Sequence, residues 1–101
     1  MSQERLSQEH LSVAIWEPLP NMEEPALATI RELNAIVSRK GYGRDLLYRS
    51  GDSHYVLLRY WNSEQARSDA QEDPEVLRCW ARLGNEIKIL KVYEKLEEIG
   101  V

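Results

Sequence analysis

The sequence predicts an α+β fold in which four antiparallel strands form one sheet and the helices cover one of its faces. Three observations carry this. Several segments alternate apolar and polar residues with period two and are rich in β-formers. Two others repeat apolar residues at helical spacing, with Ser, Asp and Pro where helices begin. Between the second and third strand segments lies a turn, Ser50-Gly51-Asp52-Ser53, which makes them a hairpin. The order strand, helix, strand, strand, helix, strand most simply builds a ferredoxin-like βαββαβ sandwich.

The first strand spans residues 11–17, with Leu11, Val13 and Ile15 on one side and Ser12, Ala14 and Trp16 on the other. Pro18 and Pro20 end it, since neither can donate to a ladder. Trp16, out of phase with Ile15, is expected away from any pocket, in a barrel interior or subunit contact. The first helix spans 21–40. Glu23, Glu24 and Pro25 suit its first turn, Ala26, Ile30, Leu33 and Val37 form its stripe, and Gly41 suits its C-terminal cap. Strands over 42–49 and 54–61 form the hairpin. In the latter, Tyr55, Leu57, Arg59 and Trp61 share one face and His54, Val56, Leu58 and Tyr60 the other.

Ser63 is a natural N-cap for a helix to residue 72, and Asp73-Pro74 restarts it. Val76, Leu77, Trp80 and Leu83 give the second piece an apolar stripe, closed by Gly84-Asn85. The last strand spans 88–96, with Ile89, Lys91, Tyr93 and Lys95 alternating against Leu90, Val92, Glu94 and Leu96.

With 101 residues, 43% of them hydrophobic and 30% charged, the chain is expected to form one globular domain over 11–101. Residues 1–10 read as a polar arm, loose or docked on a partner. A net charge of −4 argues against nucleic acid, and no apolar run suits a membrane span or a secretory leader. With a single cysteine, Cys79, expected to be a buried small hydrophobe, the reading is a cytoplasmic protein. Both faces of the first and third strands carry apolar groups. The helices cover one, and a second copy of the sheet is the simplest cover for the other, so a homodimer through sheet faces is expected.

The segment Tyr60-Trp61-Asn62-Ser63-Glu64-Gln65-Ala66, followed by Asp73-Pro74-Glu75-Val76 and Trp80, resembles the antibiotic biosynthesis monooxygenase family of the dimeric α+β barrel superfamily. That family shows an aromatic strand end, then Trp-x-Ser-x-x-Ala, then an Asp/His-Pro helix restart. The resemblance spans residues 11–96. It implies a dimeric barrel, a pocket between sheet and helices, and oxygenation of a small aromatic or quinol without metal or flavin, hence no cofactor. Haem-degrading members place an Asn near the first strand's end, a Trp at the third strand's end and a His ligand on the second helix. Trp61 matches the Trp. The first-strand position falls at Glu17 or a neighbour and the helix position at Trp80 or beside it, and no His follows His54. Haem degradation is therefore not implied.

Arg59 is the first candidate for chemistry. Set among apolar neighbours, it could hold a phenolate, enolate or carboxylate, or it could form an ion pair with an acid such as Glu17. Trp61, Trp80 and Leu57 could wall a flat substrate, or be core. On the enzyme reading Arg59 and Tyr55 are the catalytic candidates, Tyr55 as donor or proton relay. The alternative is a dimeric ligand-binding or interaction module of the same fold. His10 and His54 could accept protons, though turn and arm positions suit them as ordinary exposed residues. No metal-ligand spacing is present. Lys91, Glu94, Lys95, Glu97 and Glu98 read as a solvated or subunit-edge charge set.

Overall fold

A computed structural model describes residues 10–101. The N-terminal arm, but for His10, lies outside the described residues. The elements are β1 (His10–Pro18), α1 (Glu23–Arg39), β2 (Gly43–Arg49), β3 (Tyr55–Trp61), α2 (Glu64–Ala70), α3 (Pro74–Leu83) and β4 (Ile87–Leu96). The sheet order is β2-β3-β1-β4, with every pair antiparallel. This is the ferredoxin-like α+β arrangement expected.

Local chemistry sets the helix ends as read. The Ser63 side chain accepts from the Ala66 N–H, and the Asp73 side chain accepts from the Glu75 N–H with Pro74 opening α3. Gly41, at φ +74°, carries the chain out of α1, and the Tyr42 N–H reaches back to the Val37 carbonyl at 2.8 Å. Gly84-Asn85 closes α3 as expected, though without a left-handed residue. Gly84 keeps right-handed geometry (φ −58°), and short turn bonds from Asn85 and Glu86 to Arg82 and Leu83 end the helix.

The helices bury one sheet face. Ala26, Ile30, Leu33, Ile36 and Val37 of α1 and Val76, Cys79 and Leu83 of α3 pack on Trp16, Tyr55, Leu57 and Trp61. The α3 stripe therefore runs through Cys79 rather than Leu77, which is exposed, while Trp80 is half-buried. β3 alternates strictly: Tyr55, Leu57, Arg59 and Trp61 are buried, and the residues between them are half-exposed.

Two expectations fail, one because period two does not say which face of a strand looks inward, the other because a bulge breaks the period. Trp16 is fully buried on the helix side, paired with Tyr55 and stacked on its ring at 4.5 Å. Nor does β4 keep one alternation. It slips by one residue between the pairs Ile15–Lys91 and Trp16–Ile89. Ile89 thus shares the helix face with Trp16, while Lys91 and Tyr93 lie on the opposite face with Ile15 and Val13.

That opposite face is open in the single chain. Leu46, Tyr48, Tyr93 and Leu96 are exposed, and Leu11, Val13, Ile15, Val56, Leu58 and Tyr60 are only partly covered. The C-terminal charges pair in part within the chain, Glu94 with Arg67 at 3.3 Å and Lys95 with Glu64 at 3.4 Å. Among the described residues no helix is long and apolar enough to cross a membrane.

Candidate functional site

Between the sheet and the α1–α3 pair lies a partly open cavity of about 300 Å³. β1 supplies Ala14 and Trp16, β3 supplies Leu57 and Arg59, and β4 supplies Ile87 and Ile89. The helices add Ile30 and Leu33 from α1, with Trp80, Leu83 and Gly84 at the end of α3. Its wall is almost wholly apolar, and among the described residues Arg59 is the one ionisable side chain in it.

Arg59 points to the helix side, as its phase with Trp61 requires. Its partner is Asp45 of β2, directly opposite it across the hairpin, and not Glu17, which pairs on β1 with Lys88. Nε donates to Asp45 Oδ1 at 2.6 Å and Nη2 to Oδ2 at 2.7 Å, with the two side chains only 8% and 3% exposed. This side-on fork fixes the guanidinium plane and leaves the Nη1 amine outside it. The Trp61 ring lies 5.4 Å from the guanidinium carbon, and its indole donates to Ser12 Oγ at 3.0 Å. Asp45 is itself held to α1, its backbone N–H donating to Asn34 Oδ1 at 3.1 Å.

The expected site residues therefore separate. Leu57, Arg59 and Trp80 meet in the cavity wall. Trp61 stands behind the guanidinium, outside the wall. Tyr55 also lies outside it, its ring on Trp16 and its hydroxyl donating to Glu23 at the start of α1. That hydrogen bond, with burial, pushes the Tyr55 phenol above its ordinary value. His10 lies 3.6 Å from Glu64 and His54 3.6 Å from Asp52, both away from the cavity wall. Burial raises the Cys79 thiol, which suits an inert packing residue. Among the described residues no cluster of three or more His, Cys, Asp or Glu is arranged to hold a metal ion.

Two residues of the site escaped the sequence reading. Asp45 sits beside Arg44 and reads as a solvated charge until the hairpin register opposes it to Arg59. Trp16 lies on a strand that is apolar on both sides, so nothing in its spacing places it in a pocket wall.

No family model matches the chain, and no curated protein matches it in sequence. Solved structures do match in three dimensions. The chain is similar to Rv0793 of Mycobacterium tuberculosis at 19% identity and TM-score 0.72, over 91% of this chain and 99% of that one. It is similar to SnoaB, a cofactor-independent oxygenase of Streptomyces nogalater, at 17% identity and TM-score 0.74, over 91% and 97%. A Bacteroides thetaiotaomicron protein described as a candidate antibiotic biosynthesis monooxygenase superposes at 12% identity and TM-score 0.79, over 93% of each chain. The chain has the fold of the antibiotic biosynthesis monooxygenases.

Proposed function

We propose that this chain, built on the antibiotic biosynthesis monooxygenase fold, is a monooxygenase-type enzyme that needs no cofactor and oxidises a small aromatic or quinol substrate in the cavity between sheet and helices. The observation that carries the reading is the cavity itself: about 300 Å³, apolar, with a single guanidinium fixed in its wall. Its volume suits a small fused-ring molecule, and Leu57 and Trp80 offer it flat apolar contact.

In such chemistry the ionised substrate itself reduces oxygen. For a quinol, one atom of O₂ enters the ring to give a hydroxyquinone and the other leaves as water, with all four electrons supplied by the substrate. The protein's part is to exclude water, orient the ring and stabilise the substrate oxyanion. Arg59 fills the last role through Nη1. Asp45 cancels its net charge, so it acts as an oriented donor and not as a free cation. Tyr55 and Trp61 act as positioning residues, through Trp16 and the guanidinium respectively. Among the described residues no carboxylate or imidazole lines the wall, so the substrate proton leaves to water at the open side.

The test is oxygen uptake with 1,4-naphthohydroquinone. Uptake above autoxidation, falling about tenfold or more in Arg59→Lys with the fold intact, supports the enzyme. Uptake no faster than autoxidation sinks it. The neutralised arginine and the lack of a wall base favour one second reading, a binding module. Tight ligand retention without oxygen uptake would identify it.

The open sheet face supports a homodimer, two sheets closing into a barrel. The single buried thiol of Cys79 fits a cytoplasmic setting.

A further inference from the structure

The cavity wall is closed on one side and open on the other. Its residues from α1 and β3 are all buried, whereas Ile87 and Ile89 of β4 and Trp80 and Gly84 of α3 keep surface. The cavity therefore opens along β4, where Ile89 lines the wall and is also 49% exposed.

Apolar surface continues past that opening. Val92 pairs with Ala14, a wall residue, so it lies on the helix side of the sheet with Ile89, and it is 46% exposed. On α3, Glu75 and Arg82 pair with Arg39 and Glu32 of α1. Leu77 lies on the other flank, one turn from Trp80, and is exposed as well. Single exposed apolar residues need no explanation, but three in line with an open apolar cavity form a patch. This patch is on the helix side, not on the face that carries Val13 and Leu58.

The patch has an end. The next helix-side residue of β1 is Ser12, whose hydroxyl donates to the Glu94 carbonyl at 2.6 Å, and the Glu94 carboxylate pairs with Arg67 of α2. Ile89 and Val92 have β1 partners two residues apart, Trp16 and Ala14. Two strand residues advance about 7 Å, room for an extended chain of about five carbons.

We propose that the ligand of this cavity carries a short apolar side chain, an alkyl or prenyl group of about five carbons, which leaves at β4 and lies on Ile89, Val92 and Leu77. This rests on the reading of the cavity as a ligand site, but not on turnover.

The test titrates 1,4-naphthoquinone and its 2-propyl, 2-pentyl and 2-octyl derivatives into the wild type, Val92→Lys and Leu77→Lys. We expect pentyl to bind the wild type about tenfold or more tighter than the bare ring, and octyl to add little. In each variant the ratio of pentyl to bare-ring affinity should fall severalfold. In the wild type, NMR should show contacts between the pentyl chain and the Val92 methyl groups. No gain from the chain overturns the inference and leaves the cavity reading intact, as does a ratio unchanged in both variants. A gain that climbs as steeply from pentyl to octyl marks unspecific apolar binding and also overturns it. So does a second copy seated on the patch, seen as contacts from Val92 to another chain and none to the ligand. Failure of every quinone to bind overturns both readings. Should the variants fail to fold, the wild-type contacts decide alone.

Discussion

Asp45 and Arg59 face each other across the β2–β3 hairpin in a two-point fork at 2.6 and 2.7 Å, their side chains almost wholly buried. Removing one partner leaves an uncompensated buried charge. Asp45→Asn should therefore lose about 3–5 kcal/mol of stability. Asp45→Leu combined with Arg59→Met should recover most of it, because apolar groups of similar size need no partner. Urea unfolding of the single and double variants measures this. Equal stability of Asp45→Asn and wild type would contradict it.

Gly43 faces Trp61 at the start of β2, and a Cβ there would stand 2.3 Å from the Tyr60 carbonyl oxygen. Backbone cannot yield as a flexible side chain does. Gly43→Ala should cost about 1–3 kcal/mol, read as a lowered melting temperature. Gly51→Ala, where a Cβ meets nothing, is the control and should change little.

Asp73 accepts from Lys40 Nζ at 2.7 Å, Tyr42 Oη at 2.6 Å and the Glu75 N–H at 2.9 Å. The Lys40 ammonium first, then the Tyr42 hydroxyl, hold its carboxyl far below the ordinary 3.8. A carboxylate depressed on folding adds stability that is complete above its unfolded value and fades as pH falls toward its folded value. The chain should thus lose stability progressively below about pH 4. Glu75, lowered chiefly by its hydrogen bond with Lys40, adds in the same direction. Asp73→Asn should be less stable at neutral pH and show a flatter acid limb in chemical unfolding. An acid limb as steep as the wild type's would refute the assignment.

Leu58 sits near the middle of the open sheet face, paired with Val13 on one side and Leu46 on the other. If two such faces close on each other, Leu58→Lys places a charge in that contact. Sedimentation should then find a dimer for the wild type and a monomer for the variant, with helical content retained. A wild-type monomer at micromolar concentration would sink the sheet-on-sheet reading.

The elements legible in the sequence were those set by local chemistry. Ser63 and Asp73-Pro74 announce helix starts because their side chains satisfy backbone donors wherever the rest of the chain lies. Arg59 could be placed with Leu57 and Trp61 because β3 alternates without interruption. What stayed hidden depended on partners distant in sequence. Trp16 looks equivalent to Ile15 until α1 and α3 choose a side of the sheet. Asp45 becomes an ion-pair partner only through the hairpin register. The phase of β4 changes at a bulge that no single residue advertises.

The knot at Asp73 gathers the end of α1, the start of β2 and the start of α3 at one point, while the cavity lies toward the other end of α3, at Trp80, Leu83 and Gly84. Opening is thereby given a direction. Amides near the knot should exchange with solvent only when the whole chain unfolds, whereas those around Gly84 and exposed β4 are freed by smaller excursions. If the cavity takes a ligand, its passage needs only the latter. The chain can breathe at this end of its cavity thousands of times for each time it comes apart, as about 5 kcal/mol between local and global opening would allow.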